Sequence, residues 1–138
     1  MLLDTNVVSE VMRPRPDAIV VEWLDTAATR PLWISSVTIA EVVYGLELIP
    51  DGARRSRLER GFVSFLERGF AGRVLSFDAD AAAVYGRVSA HRRNIGRPIS
   101  VLDAQIAAIA RSRGLAVATR NVRDFDDCGV EVIDPFAS

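Results

Sequence analysis

The sequence predicts an α/β fold, a single three-layer α/β/α domain built on a parallel sheet of short strands. Three observations predict it. Short apolar runs alternate along the chain with stretches of helical periodicity. The runs are apolar throughout, as strands covered on both faces are, and do not alternate with polar residues. No repeat, low-complexity linker or composition break divides the 138 residues, a length suited to one domain over 1–138.

Met1-Leu2-Leu3 is an apolar run ending at Asp4, and Pro14 and Pro16 punctuate the segment that follows. Residues 17–28 carry Ile19, Val20, Trp23, Leu24 and Ala27 at helical spacing. Leu32-Trp33-Ile34 is a second strand. Ser35 or Ser36 can cap the next helix, whose apolar face includes Ile39, Val42, Val43 and Leu46. Residues 53–68 form an Arg-rich helix with Leu58, Phe62, Phe65 and Leu66 on one stripe. Val74-Leu75-Ser76-Phe77 is a brief strand or extended entry, and Asp78 is a fitting N-cap for a helix over 79–93. Ser100 can cap a helix over 101–113 that stops at Gly114. Residues 115–119 and 130–133 are strands with β-branched content.

Composition removes several chemistries. All 17 basic residues are Arg, so no Schiff base, P-loop Lys or Lys beside an acyl phosphate can form. With 18 acidic residues the net charge is −1, which argues against binding nucleic acid through bulk positive charge. The single Cys128 cannot make an intramolecular disulfide, and its acidic neighbours Asp126 and Asp127 should raise its pKa, so a thiolate nucleophile is not expected. The single His91 has no second His for a metal pair and suits a helix end. An apolar fraction of 49% excludes a mainly disordered chain. No basic leader or apolar run of membrane-spanning length is visible, so a cytoplasmic location without membrane contact is expected.

The carboxylates carry the chemistry. Asp4 sits where the first strand ends, and Asn121 and Asp124 follow the 115–119 strand. Parallel neighbours would bring these ends to one rim, where ligands bind in such folds. Asp103 falls in the first turn of its helix, and Glu41 lies within an apolar stretch near the start of the helix after Ser35. An unpaired ionised carboxylate among apolar residues is costly. Several of them on one rim, with no base adjacent in sequence, call for a cation, and hard oxygen donors select Mg²⁺ or Mn²⁺ over Zn²⁺. Each acid also has a plain structural role open to it. Asp103 can favour the helix dipole, Asp4 can bond the amides of Asn6 or Val7 in a turn, and Asp124 can be a solvated turn residue. A buried Glu41 without a partner is harder to explain.

Leu2-Leu3-Asp4-Thr5-Asn6-Val7, Ala40-Glu41-Val42-Val43-Tyr44-Gly45-Leu46, Leu102-Asp103-Ala104-Gln105-Ile106-Ala107-Ala108-Ile109-Ala110 and Thr119-Arg120-Asn121-Val122-Arg123-Asp124-Phe125 occur in that order. Together they resemble the four motif blocks of PIN-domain proteins, and most closely the VapC-type toxins of the FitB-like subgroup. The resemblance covers essentially the whole chain. It implies a Mg²⁺- or Mn²⁺-dependent endoribonuclease, the toxin of a toxin–antitoxin pair, leaving 5′-phosphate and 3′-hydroxyl ends. By the same resemblance Asp4 and Asp103 are the principal metal ligands and Glu41 completes the acidic cluster, while Thr5 and Asn6 orient Asp4. Many relatives carry Asp where this chain has Asn121, so Asn121 or Asp124 fills the fourth position. Implied partners are an RNA substrate, a cognate antitoxin of the VapB or FitA kind, and a second copy of the chain, with DNA contacted only through the antitoxin.

An acidic site repels phosphate, so RNA binding needs local positive charge. Arg13 and Arg15 follow the first block, Arg92, Arg93 and Arg97 precede the third, and Arg120 and Arg123 flank the fourth. Arg forks suit phosphate, though a solvated surface is equally compatible. Arg54, Arg55, Arg57 and Arg60 better fit an exposed helix face, and the stripe with Phe62 and Phe65 either enters the core or lines a groove for an antitoxin helix. Two other functions use similar carboxylates: a housekeeping RNA-processing nuclease, and a phospho-acceptor or phosphatase domain. The second is disfavoured by the missing Lys and by Asn6 where a phosphatase carries a second Asp.

Overall fold

A computed structural model describes residues 1–27 and 29–137. The elements are β1 (Leu2–Leu3), α1 (Thr5–Val11), α2 (Ala18–Ala27), β2 (Ile34–Ser35), α3 (Ser36–Glu47), α4 (Ala53–Gly69), β3 (Val74–Leu75), α5 (Ala79–Asn94), α6 (Val101–Ser112), β4 (Val117–Ala118), a 3₁₀ turn (Val122–Phe125) and β5 (Val132–Ile133). Ala28, the last residue of the helix expected over 17–28, and Ser138, the expected end of the domain, lie outside the described residues.

The strands are shorter than the apolar runs that produce them, but their order is well defined. β1, β4 and β5 form one parallel sheet and β2 and β3 another. A parallel bridge between Leu2 and Trp33 joins the two, with Leu3 N–H donating to the Trp33 carbonyl at 2.9 Å and Trp33 N–H to that of Met1 at 2.8 Å. The resulting order is β3-β2-β1-β4-β5, all parallel, and the chain reverses its direction of winding between β1 and β4. That is the topological switch point, where a crevice opens beyond the carboxyl ends of the strands.

Side-chain alternation in the strands fills two cores. Leu3, Ile34, Ala118 and Ile133 face a core closed by Val7 and Val8 of α1, Val20 of α2, Val42 and Leu46 of α3, and Phe62 of α4. Leu2, Val117 and Val132 face the other, with Ala81 and Val88 of α5, Ile106 and Ile109 of α6, and Phe125. The three layers expected from the sequence are present.

Caps follow the sequence. Ser35 Oγ accepts from Thr38 N–H at 3.1 Å, Asp78 Oδ1 from Ala81 N–H at 2.9 Å, and Ser100 Oγ from Asp103 N–H at 3.2 Å. Gly114 closes α6 in the left-handed region at φ 66°. α1 is the helix that residue spacing does not single out. Its β-branched and polar residues are poor helix formers, and burial of Val7 and Val8 at 0% exposure stabilises it. The α4 stripe divides: Phe62 is buried, while Leu58 and Phe65 pack on the core and also line a surface groove with Val11, Met12 and Pro14. Arg55 of that helix pairs with Glu47, Asp51 and Glu59, as an exposed face would. No described helix is long and apolar enough to cross a membrane.

Candidate functional site

The parallel register of β1 with β4 sets Leu3 opposite Ala118, so the next residues on each strand, Asp4 and Thr119, leave the sheet side by side. Asp4 is the N-cap of α1. Its Oδ1 accepts from Thr5 N–H at 2.8 Å, rather than from Asn6 or Val7 as a simple turn would arrange. Its Oδ2 accepts from the Thr119 hydroxyl at 2.8 Å and from Asn6 Nδ2 at 3.3 Å. Asn6 in turn accepts Arg120 N–H on Oδ1 at 3.2 Å, and Thr119 Oγ1 accepts from Asn121 N–H at 3.0 Å. Both ends of the Asn6 amide are therefore engaged in fixing Asp4 and the segment after β4.

Glu41 comes from the second turn of α3, held by the Thr5 hydroxyl, which donates to Glu41 Oε1 at 2.7 Å. Thr5 Oγ1 also lies 3.0 Å from Thr38 Oγ1, which is 3.4 Å from Ser35 Oγ. This hydroxyl chain ties the N-termini of α1 and α3 together. Asp103 enters from the first turn of α6. Asp4, Thr5, Asn6, Glu41, Asp103 and Asn121 share one cleft of about 510 Å³ with Ser9, Glu10, Arg13 and Arg120.

The electrostatics of this cleft are unbalanced. Burial pushes the Asp4 carboxyl up to about 6, opposed by the hydrogen bonds from Thr119 and Thr5 and reinforced by the charges of Asp103 and Glu41. Burial also raises Asp103, with the Ser100 hydrogen bond and distant Arg92 holding it down and Asp124 pushing it up. Among the described residues no Arg forms an ion pair with Asp4, Glu41 or Asp103. Nor do three acid, Cys or His side chains converge tightly enough to enclose a metal on their own. The donor chemistry nevertheless fits Mg²⁺ or Mn²⁺. These are hard oxygen donors around a buried carboxylate that lacks a counter-charge, and Mg²⁺ is typically bound through one or two carboxylates while keeping several waters.

The structure sorts the remaining expected residues. Asn121 lines the cleft, whereas Asp124 is exposed in the 3₁₀ turn and does not line it, acting on Asp103 only through its charge. Of the expected RNA-binding arginines, Arg13 and Arg120 line the cleft. Arg15, Arg93 and Arg123 are exposed elsewhere, and Arg97 pairs with Asp126 and Asp127. Arg92 corrects the expectation. It is 5% exposed and turned inward, donating to the carbonyls of Arg97, Asp124 and Asp126 at 2.7, 2.9 and 3.0 Å. It braces the loop that carries Asp124 and is not available to RNA. Cys128 beside it is buried, and burial, ahead of the acidic neighbours, raises its thiol pKa. His91 is exposed in the last turn of α5, as expected.

Thr119, Thr38 and Glu10 escape residue-pattern reading. A hydroxyl at a strand end has no periodic signature; the available signal was Thr119 as the last residue of the predicted 115–119 strand, beside a parallel neighbour that ends at Asp4.

Residues 1–130 match the PIN domain family. The plasmid stability protein StbB of Pseudomonas syringae pv. tomato is 41% identical over 99% of this chain and 98% of its own length. A VapC ribonuclease of Sinorhizobium fredii is 37% identical over 99% and 97%, and the toxin FitB of Neisseria gonorrhoeae 37% over 99% and 98%. Among solved structures, that of FitAB bound to a DNA fragment superimposes with a TM-score of 0.92 at 38% identity, covering 99% of this chain and 96% of the other.

Proposed function

The chain belongs to the PIN-domain family, and on that premise we propose that it is a toxin endoribonuclease dependent on Mg²⁺ or Mn²⁺. The observation that carries the reading is Asp4, a buried carboxylate at the switch point of the sheet, lifted to about 6 and facing the charges of Asp103 and Glu41 without a basic partner. Such a group is costly to the fold and useful to a cation. The similarity to a VapC ribonuclease and to FitB supports the same conclusion.

Asp4 and Asp103 are the residues to hold the metal, with Glu41 and the Asn121 amide oxygen completing the oxygen donors; the exposed Asp124 tunes Asp103 from outside the cleft. When bound, Mg²⁺ or Mn²⁺ supplies a nucleophilic water and neutralises charge at the scissile phosphate. Thr119, Thr5 and Asn6 hold the Asp4 carboxylate in one orientation and stabilise its ionised form. Thr5 orients Glu41 through the same hydroxyl that reaches Thr38. The proposed partners are an RNA substrate, a cognate antitoxin that alone contacts DNA, and a second copy of the chain, all in the cytoplasm.

The test is cleavage of purified RNA by the isolated protein with Mg²⁺ or Mn²⁺. Activity should vanish with excess EDTA and in Asp103→Ala. Undiminished cleavage in either would overturn the metal-dependent reading.

A further inference from the structure

Glu10 is 5% exposed, an unusual place for a charge, and its carboxylate does three things. Oε2 accepts from Asp17 N–H at 3.1 Å, fixing the turn between α1 and α2. Oε1 accepts from Arg13 Nη1 at 3.3 Å and from Arg120 Nη2 at 3.4 Å. Two guanidinium groups from segments far apart in the chain are thus gathered on one oxygen, and the trio carries a net charge of +1.

Neither contact is the short two-pronged pair that Arg makes when it is fully committed to a carboxylate. Each guanidinium donates once to Glu10 and keeps other N–H groups unspent. Arg120 is further oriented. Its guanidinium lies 3.8 Å over the Phe136 ring, and its backbone N–H donates to Asn6, whose amide also reaches Asp4. Both arginines line the cleft that contains Asp4, Glu41, Asp103 and Asn121. The cleft is therefore acidic on one side and cationic at the Glu10 corner.

We infer that Arg13 and Arg120, gathered by Glu10, form an anion subsite that binds a backbone phosphate flanking the scissile one. The inference rests on the nuclease reading. A phosphodiester carries one negative charge and two unesterified oxygens, which matches a net +1 corner presenting two guanidinium groups. Glu10 holds both guanidinium groups at its own carboxylate, and neither forms an ion pair with Asp4 or Asp103. It is a positioning residue, and the arginines are the binding groups.

The test uses the full chain carrying Asp103→Ala, in EDTA, with a fluorescein-labelled 12-nucleotide single-stranded RNA followed by anisotropy over a range of salt. Adding Arg13→Ala or Arg120→Ala should weaken binding about 5–10-fold and lower the slope of log K against log salt by about 0.7, one phosphate contact on a single strand. Arg87→Ala, which removes an exposed charge on α5, should change neither by as much. Arg13 is 66% exposed, so its truncation leaves the core intact and stands as the decisive variant if Arg120→Ala misfolds. Unchanged affinity and slope in Arg13→Ala, or an equal loss in Arg87→Ala, would overturn the subsite. If the wild type cleaves no RNA while Arg13 and Arg120 still govern RNA binding, the nuclease reading fails and the subsite stands.

Discussion

An Asp4→Asn substitution removes a charge that the fold holds at a cost. Burial lifts the Asp4 carboxyl from 3.8 to about 6, and each tenfold change in proton affinity is worth about 1.36 kcal/mol. The folded protein therefore keeps a proton on Asp4 between pH 3.8 and about 6 that the unfolded chain releases. This group's favourable contribution is complete below pH 3.8 and is lost as pH rises through 6, a change of about 3 kcal/mol. The Asn variant has no such titration. Its Oδ1 can still accept from Thr5 N–H, but its amide must face Asn6 Nδ2 and the Thr119 hydroxyl, which costs about 1 kcal/mol. The net gain at neutral pH is about 2 kcal/mol, or about 6 °C in Tm for a domain of this size. The assay is thermal unfolding in EDTA from pH 5 to 8, followed by circular dichroism. The wild type should lose stability relative to the variant as pH rises, with the gap largest above pH 7. Mg²⁺ at pH 7.5 should raise the Tm of the wild type and leave the variant unchanged. A variant melting at or below the wild type at pH 7.5, with parallel pH curves, would refute the reasoning.

Thr119→Val removes a hydrogen bond that holds the Asp4 pKa down, so the acidic limb of a kcat/KM profile should move to higher pH. Arg92→Met leaves the carbonyls of Arg97, Asp124 and Asp126 without their shared donor. The expected loss is about 3 kcal/mol, read as a lower urea midpoint at unchanged m-value. Cys128, buried with its thiol pKa raised, should react with a thiol reagent about 100-fold more slowly than after denaturation.

Much of the fold was legible because its signals are local. α5 begins after Asp78 and α6 after Ser100, and α6 ends at Gly114, as caps and periodicity indicate. α1 was not legible as a helix, since Val7 and Val8 adopt helical structure for packing that their own propensity does not favour. The strands read longer than they are, because apolar runs report burial and strand ladders report pairing.

The site divides in the same way. The sequence alone marked Asp4, Glu41, Asp103 and Asp124 as acids at strand ends and helix starts among apolar residues, and the resemblance to PIN-domain proteins joined them into one expected site. Tertiary structure decided what surrounds them. It placed Asn121 in the cleft and Asp124 outside it, turned Arg92 inward as a brace, joined Thr119 to Asp4 across 115 residues, and gathered Arg13 and Arg120 on Glu10. Charge type is written in the residue, but whether a charge is buried, paired or open to a ligand depends on which distant segments pack against it.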